Sequence, residues 1–327
     1  MPREIIFGYE TAIQICRSSR TNLKNLVIPH ARLAPAKMPS PNELGAAVQQ
    51  LKNHYPYVQI VYPLHCMVNS TIRLHPTIMT HPHRFTSPLP GSSLYRLADG
   101  IFAATPPLAF IQECARRSFV DQLRLAWEIC GIYQSGFCGL PSEYDIKPLA
   151  SVENLRSYAQ RNSSLSKSRA ARQALQYTAD GSASTRESQL SLSMSLPKLY
   201  GGGGLGTPSM NFEVETTPQA RTIYNKRTIR CDIHWPGTNI DVEYQSHQHH
   251  SGDEKRIEDS RRTNALKAMG FDVHLITDDE LNSFATTEAL ICTLRKSLGK
   301  RDRTKTDDYH ARKLKLRREL GLPVGFE

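Results

Sequence analysis

The chain has 327 residues, 39% of them hydrophobic and 8% aromatic, which is room for about two domains with packed cores and too apolar for wholesale disorder. A formal net charge of +10 and a pI near 9.3 point to an anionic partner, nucleic acid before a membrane surface. The seven cysteines (16, 66, 114, 130, 138, 231, 292) are scattered without a CxxC pair, which excludes a disulfide framework and a zinc ribbon and fits a reducing interior.

The N-terminal MPREIIFGYE lacks the apolar run of a signal peptide, and no stretch approaches membrane-spanning length. The reading is a cytoplasmic protein with no membrane partner. A short helix is expected over Tyr9–Arg17, and another from Pro41-Asn42-Glu43 into LGAAVQQLKNHY. Residues 57–104 offer short β-like runs (VQIVY, STIRL, SLYRLADGIFAA) between Pro- and His-rich turns such as THPHRF. His81, His83 and Arg84 in that segment read as a solvated polar turn. Pro106-Pro107 opens two helical segments, so residues 1–148 form a small α+β domain of unassigned role. Residues 149–183 read as a basic helix followed by the hinge ADGSAS, where the domain junction is placed.

Ser184-Thr185-Arg186-Glu187 has the Ser-x-x-Glu form of a helix capping box. The following LYGGGGLG lacks the Lys-Ser/Thr ending of a phosphate-binding loop and reads as a flexible connector. Thr228 to His250 reads as two strands joined at Pro236-Gly237-Thr238-Asn239. Alternation puts Ile229, Cys231 and Ile233 on one face of the first arm, and Ile240, Val242 and Tyr244 on one face of the second. Asp232, Glu243 and Gln245 are thereby collected on the other side. Asp253 to Met269 is a charged helix ended by Gly270, FDVHLIT is a strand, and DDELNSFATTEALICTLRKSL is a helix. From Arg295 to Arg318 eleven Lys/Arg stand against three acids, a basic tail (299–327) read equally as a solvated arm or as an arm that touches phosphates.

Three chemistries fit the hairpin. Carboxylates are ligands for hard cations, so Glu187, Asp232, Glu243 and Gln245 can hold Mg²⁺ (Mn²⁺ can substitute) and activate water against a phosphodiester. Lys255, Arg261 and Arg262 on the next helix would then hold phosphates. Alternatively His247, His249 and His250, with His234, form a zinc or iron site. The third reading is a charged face turned to water.

The run from Asp232 through Glu243 and Gln245 to His249, followed by Asp259-x-x-Arg262-x-x-x-Leu266-x-x-x-Gly270 and a strand, resembles the PD-(D/E)xK nuclease superfamily. More narrowly, residues 183–292 are similar to the very-short-patch-repair-like endonuclease domains of uncharacterised bacterial proteins. The resemblance implies a restriction-endonuclease-like α/β core over 184–298, a mixed sheet flanked by helices, cutting DNA with Mg²⁺. It makes Asp232 and Glu243 metal ligands, Glu187 an added helical ligand, and His249 an active-site histidine. Asp259 and Arg262 would fix the helix beside the site. The chain departs at Gln245, where the superfamily often has Lys and this subgroup Asp. A neutral Gln neither deprotonates water nor adds ligand charge, which leaves open a catalytically weakened DNA-binding or toxin–antitoxin and phage-defence regulator.

Overall fold

In the computed structural model the described residues are 4–69, 74–245, 253–301 and 308–324, with backbone alone for 253–256. They form a mixed α/β chain that divides into two compact units, residues 1–129 with 134–176, and residues 130–133 with 177–327. Among the described residues no helix is long and apolar enough to cross a membrane.

The first unit holds a five-stranded sheet in the order β3-β2-β1-β5-β4. Its strands are β1 (Ile5–Phe7), β2 (Leu64–Val68), β3 (Thr80–Arg84), β4 (Leu94–Ala98) and β5 (Ile101–Ala104). Helices α1 (Tyr9–Ser18), α2 (Pro41–His54), α3 (Pro106–Glu113), α4 (Phe119–Cys130), α5 (Val152–Arg161) and α6 (Ser168–Leu175) complete it. The start of α2 follows its sequence, with Ser40 and Glu43 forming a reciprocal capping box ahead of Pro41. Two readings change. VQIVY is not a strand, and the neighbouring LHCMV is. The supposed turn THPHRF supplies β3, parallel to β2 with His65 opposite His81 and Met67 opposite His83. Pro82 is tolerated because β3 is at the edge of the sheet, where a missing amide donor leaves no ladder bond unmade. The 149–183 stretch also differs, with two helices, α5 and α6, in place of one.

The second unit contains α7 (Thr185–Ser195), β6 (Ser209–Glu215), α8 (Pro218–Ile223), β7 (Thr228–His234), β8 (Ile240–Gln245), α9 (Asp253–Ala268), β9 (Asp272–Thr277), α10 (Asp278–Asn282), α11 (Phe284–Ser297) and α12 (Tyr309–Leu320). Its sheet runs β9-β8-β7-β6, with β6, β7 and β8 antiparallel in turn and β9 parallel to β8. Ile229 and Cys231 of β7 pack with Ala220 and Tyr224 beside α8 and with Ala265 and Leu266 of α9, which fixes α9 across the sheet.

The Gly run is no loose connector. A Cβ on Gly202 would lie 2.3 Å from the Leu196 carbonyl oxygen, and one on Gly201, at φ +89°, 2.2 Å from that of Arg312. Only glycine allows this backbone approach. The basic tail likewise folds, over α12, with Leu316 and Leu320 buried. Gln189 on α7 donates to the Leu320 carbonyl (2.7 Å), and Arg317 donates to the carbonyls of Leu281 (3.0 Å) and Asn282 (2.8 Å) at the end of α10. The solvated-arm reading fails for this part because its apolar and arginine side chains find partners in the same unit.

Candidate active site

The centre of the second unit is built by β7, β8 and α9. Strands β7 and β8 pair at Asp241 opposite His234 and Val242 opposite Ile233, joined by a turn at Trp235–Asn239 in which Gly237 has φ +77°. Further along, the Asp232 carboxylate accepts the Tyr244 amide at 3.0 Å, taking a donor that a strand carbonyl would otherwise bind. Period two on β8 puts Asp241 on the same face as Glu243. Both are buried, at 0% and 1% exposure.

Among the described residues one cation is bonded to them. Arg262 of α9 donates Nη2 to Glu243 Oε2 and Nη1 to the Arg230 carbonyl (3.2 Å), while Nη1 lies 4.0 Å from Asp232 Oδ1. The three carboxyls thus have one guanidinium close by among the described residues, with a weaker pull on Asp232 from Arg230. Among the described residues, neither oxygen of Asp241 nor Oε1 of Glu243 has a partner at standard hydrogen-bond geometry, although Asp241 faces the Cys231 thiol and the Glu243 carboxyl, each a donor when protonated. Burial, then the neighbouring charges of Asp232 and Asp241, push the Glu243 carboxyl far above the usual carboxylate range. Burial raises Asp241, and it raises Asp232 against the pull of Arg262. The cluster is thus short of positive charge, and burial favours the protonated form of its acids.

Glu187 sits in the first turn of α7, as its sequence suggests, with Ser184 capping its amide at 3.1 Å. Its carboxylate reaches one residue beyond a standard box, accepting from the Ala183 amide (3.0 Å), and it also accepts from Ser184 Oγ (3.0 Å) and Asn211 Nδ2 (3.3 Å). Burial and the charge of Asp232 push it up to about 7. Glu187 is close enough to Asp232 to feel its charge, and its oxygens are committed to the helix cap. Among the described residues, no three carboxylates bring an oxygen each within 4.8 Å of one another. The orphaned buried oxygens of Asp241 and Glu243 are nonetheless the donor type that suits a hard cation.

The other sequence-derived residues fall in different places. Gln245 is exposed at the end of β8, opposite Thr277. Arg261 is exposed on α9, and Asp259 is half-buried there. His247, His249 and His250 lie outside the described residues, as does the side chain of Lys255. His234 is a packing residue, bonded through Nδ1 to the Ile240 carbonyl (2.9 Å) and stacked on Phe212. The alternation in the sequence puts Asp241 on the face of Glu243 and Gln245, but the residue is not among the candidate ligands named from it. No protein-family model, no curated protein and no solved structure matches this chain.

Proposed function

We propose that the second unit is a PD-(D/E)xK-type, Mg²⁺-dependent DNA endonuclease, with Asp232 and Glu243 as the metal-binding carboxylates and Asp241 beside them. The observation that carries this reading is the excess of buried carboxyl groups over cations, with Arg262 as the sole described guanidinium bonded among them. An apolar site holding three acids destabilises the resting fold, a cost that sites retain when a divalent cation or a reaction uses it. The order of parts supports the reading: an acid on β7, an acid on β8, an arginine on the next helix and a closing strand β9.

The bound cation would supply Lewis acidity and an acidified water for attack on phosphorus. Asp232 and Glu243 would hold it, and Arg262, anchored to the Arg230 carbonyl, would offer its charge to the substrate phosphate. Arg261, exposed one residue earlier, would add a phosphate contact. Glu187 keeps α7 seated behind Asp232. Purified full-length protein should cleave plasmid or oligonucleotide DNA with Mg²⁺ or Mn²⁺, and stop with EDTA or after Asp232→Ala or Glu243→Ala. Equal cleavage by the wild type and both variants would overturn the mechanism.

The exposure and neutrality of Gln245 favour a second reading, a nuclease fold that binds DNA without cutting it. That reading requires salt-sensitive DNA binding that survives Asp232→Ala, with no cleavage under either metal.

A further inference from the structure

We propose that His65, His81 and His83 of the first unit form a binding site for a transition-metal ion, best suited to Zn²⁺. The site is separate from the carboxylates above and does not depend on their role. His81 and His83 are two residues apart on β3 and so share a face, and the parallel register sets His65 of β2 beside His81. Each ring offers a nitrogen, and the three nitrogens lie within 4.8 Å of one another. The rings are 4.7–5.1 Å apart between centroids. His65 Nδ1 and His83 Nε2 face each other at 2.9 Å. Ligand nitrogens around a tetrahedral zinc stand about 3.4 Å apart, given Zn–N bonds of about 2.0–2.1 Å, so opening that pair by a few tenths of an ångström admits the ion.

Two further observations ask for a ligand. His81 Nδ1 is buried without a hydrogen-bond partner among the described residues, an arrangement that is costly for an imidazole nitrogen taken out of water. Tyr9 stacks on His83, 3.5 Å between ring centroids, and it does so from a backbone φ of +53°, rare for a bulky residue. Its amide is tied to Gln112 Oε1 at 2.8 Å. The surroundings hold the ligands as an outer shell would: Thr11 Oγ1 accepts the His65 amide at 2.9 Å. Arg116 Nη1 donates to His65 Nδ1 at 3.0 Å and is the group an incoming metal displaces. Glu113 lies 3.5 Å from Arg116 and 2.6 Å from Arg117, and Glu10 lies 3.7 Å from Arg117, so two carboxylates offset the two guanidiniums beside the ion. Three histidines leave a fourth tetrahedral position to water or a substrate oxygen. Pro82, with no amide to donate, helps keep another strand from adding beside it.

The test is a Co²⁺ titration of the chelator-stripped full chain carrying His247→Ala, His249→Ala and His250→Ala, which removes the other histidine cluster. One cobalt per chain should bind with the intense visible bands of a tetrahedral nitrogen-ligated ion, and one equivalent of Zn²⁺ should displace it. His81→Ala and His83→Ala should each weaken binding by at least about tenfold, and Glu243→Gln should leave it unchanged. Zn²⁺ should also raise the unfolding temperature of the parent by mass action. Circular dichroism of the two half-buried histidine variants separates lost binding from lost fold. Octahedral-type cobalt spectra, or equal binding by the parent and by folded His81→Ala and His83→Ala, would overturn the site. Stabilisation by inorganic phosphate and none by Zn²⁺ would instead make it an anion pocket built on Arg116.

Discussion

Glu243 and Arg262 are the two residues whose energetics are most exposed to test. Glu243 is almost fully buried, has one oxygen on Arg262, and lies beside Asp241, which faces the Cys231 thiol and Glu243 itself with no cation bonded to it among the described residues. Glu243→Gln keeps the shape, replaces a carboxyl that ionises at the expense of its crowded neighbours with a permanently neutral amide, and supplies N–H donors to them. It is expected to stabilise the metal-free protein by about 1 kcal/mol while abolishing cleavage, the usual opposition of stability and activity at a site. Urea unfolding in EDTA, set beside a DNA cleavage assay, checks both halves, and a less stable Glu243→Gln would show that the carboxylate is fully compensated. Arg262→Ala is the reverse case. It leaves Asp232 without its counter-charge and Glu243 without its donor, and should destabilise by about 3 kcal/mol at pH 8, because breaking one side of a buried pair costs more than the pair is worth. Its loss should shrink when the pH is lowered enough to protonate the acids.

Among the elements, those that announce themselves locally were readable. The Ser184 cap and Glu187 of α7, the Pro41 start of α2, the alternating arms of β7 and β8, and Gly270 closing α9 at φ +86° are all settled by residues within a few positions of one another. What escaped the sequence depends on distant partners. THPHR resembles a turn until β2 pairs with it, and a glycine run resembles a linker until α12 and Leu196 crowd it. The same holds at the site, where alternation named Asp232 and Glu243, but nothing local tells that Arg262 would bond to one and lie near the other. Helix α12 gives this a measurable form. Leu320 is fully buried, so Leu320→Ala should cost the second unit about 3 kcal/mol in urea unfolding followed by Trp235 fluorescence. An effect below 0.5 kcal/mol, the range of surface substitutions, would return α12 to the status of a solvated arm. Deleting the tail therefore tests folding before it tests DNA binding. Substitutions at the exposed Lys315 and Arg318 ask the DNA question cleanly.

At the scale of the whole molecule the two units carry buried acids and bases of opposite bias, which gives them opposite responses to pH. In the first unit, burial first and Arg116 with the neighbouring histidines next lower His65 to about 3, and burial likewise lowers His81 and His83. An unfolded chain protonates these histidines near 6.5 and the folded one does not, so stability is lost as pH falls below 6.5 and is fully present above it. Glu10 and Glu128 are raised by burial and oppose this, but they are two groups against three. In the second unit Glu187, Asp232, Asp241 and Glu243 are all raised, so the folded state binds more protons than the unfolded one. Its stability is full below the ordinary carboxylate range and falls as pH rises through and beyond it, with a slope on the order of 1 kcal/mol per pH unit for each proton retained. The chain has two tryptophans, the buried Trp127 in the first unit and Trp235 in the second. Trp235→Phe therefore reports the first unit and Trp127→Phe the second. In EDTA, raising the pH from 5 to 8 should shift the urea midpoint upward for the first probe and downward for the second. Saturating Mg²⁺ should flatten the second profile alone, since a cation bound to ionised Asp232 and Glu243 removes the reason for them to hold protons. Parallel shifts of the two probes, or a downward slope that Mg²⁺ leaves intact, would mean that the buried carboxyls are satisfied within the fold and do not await a metal.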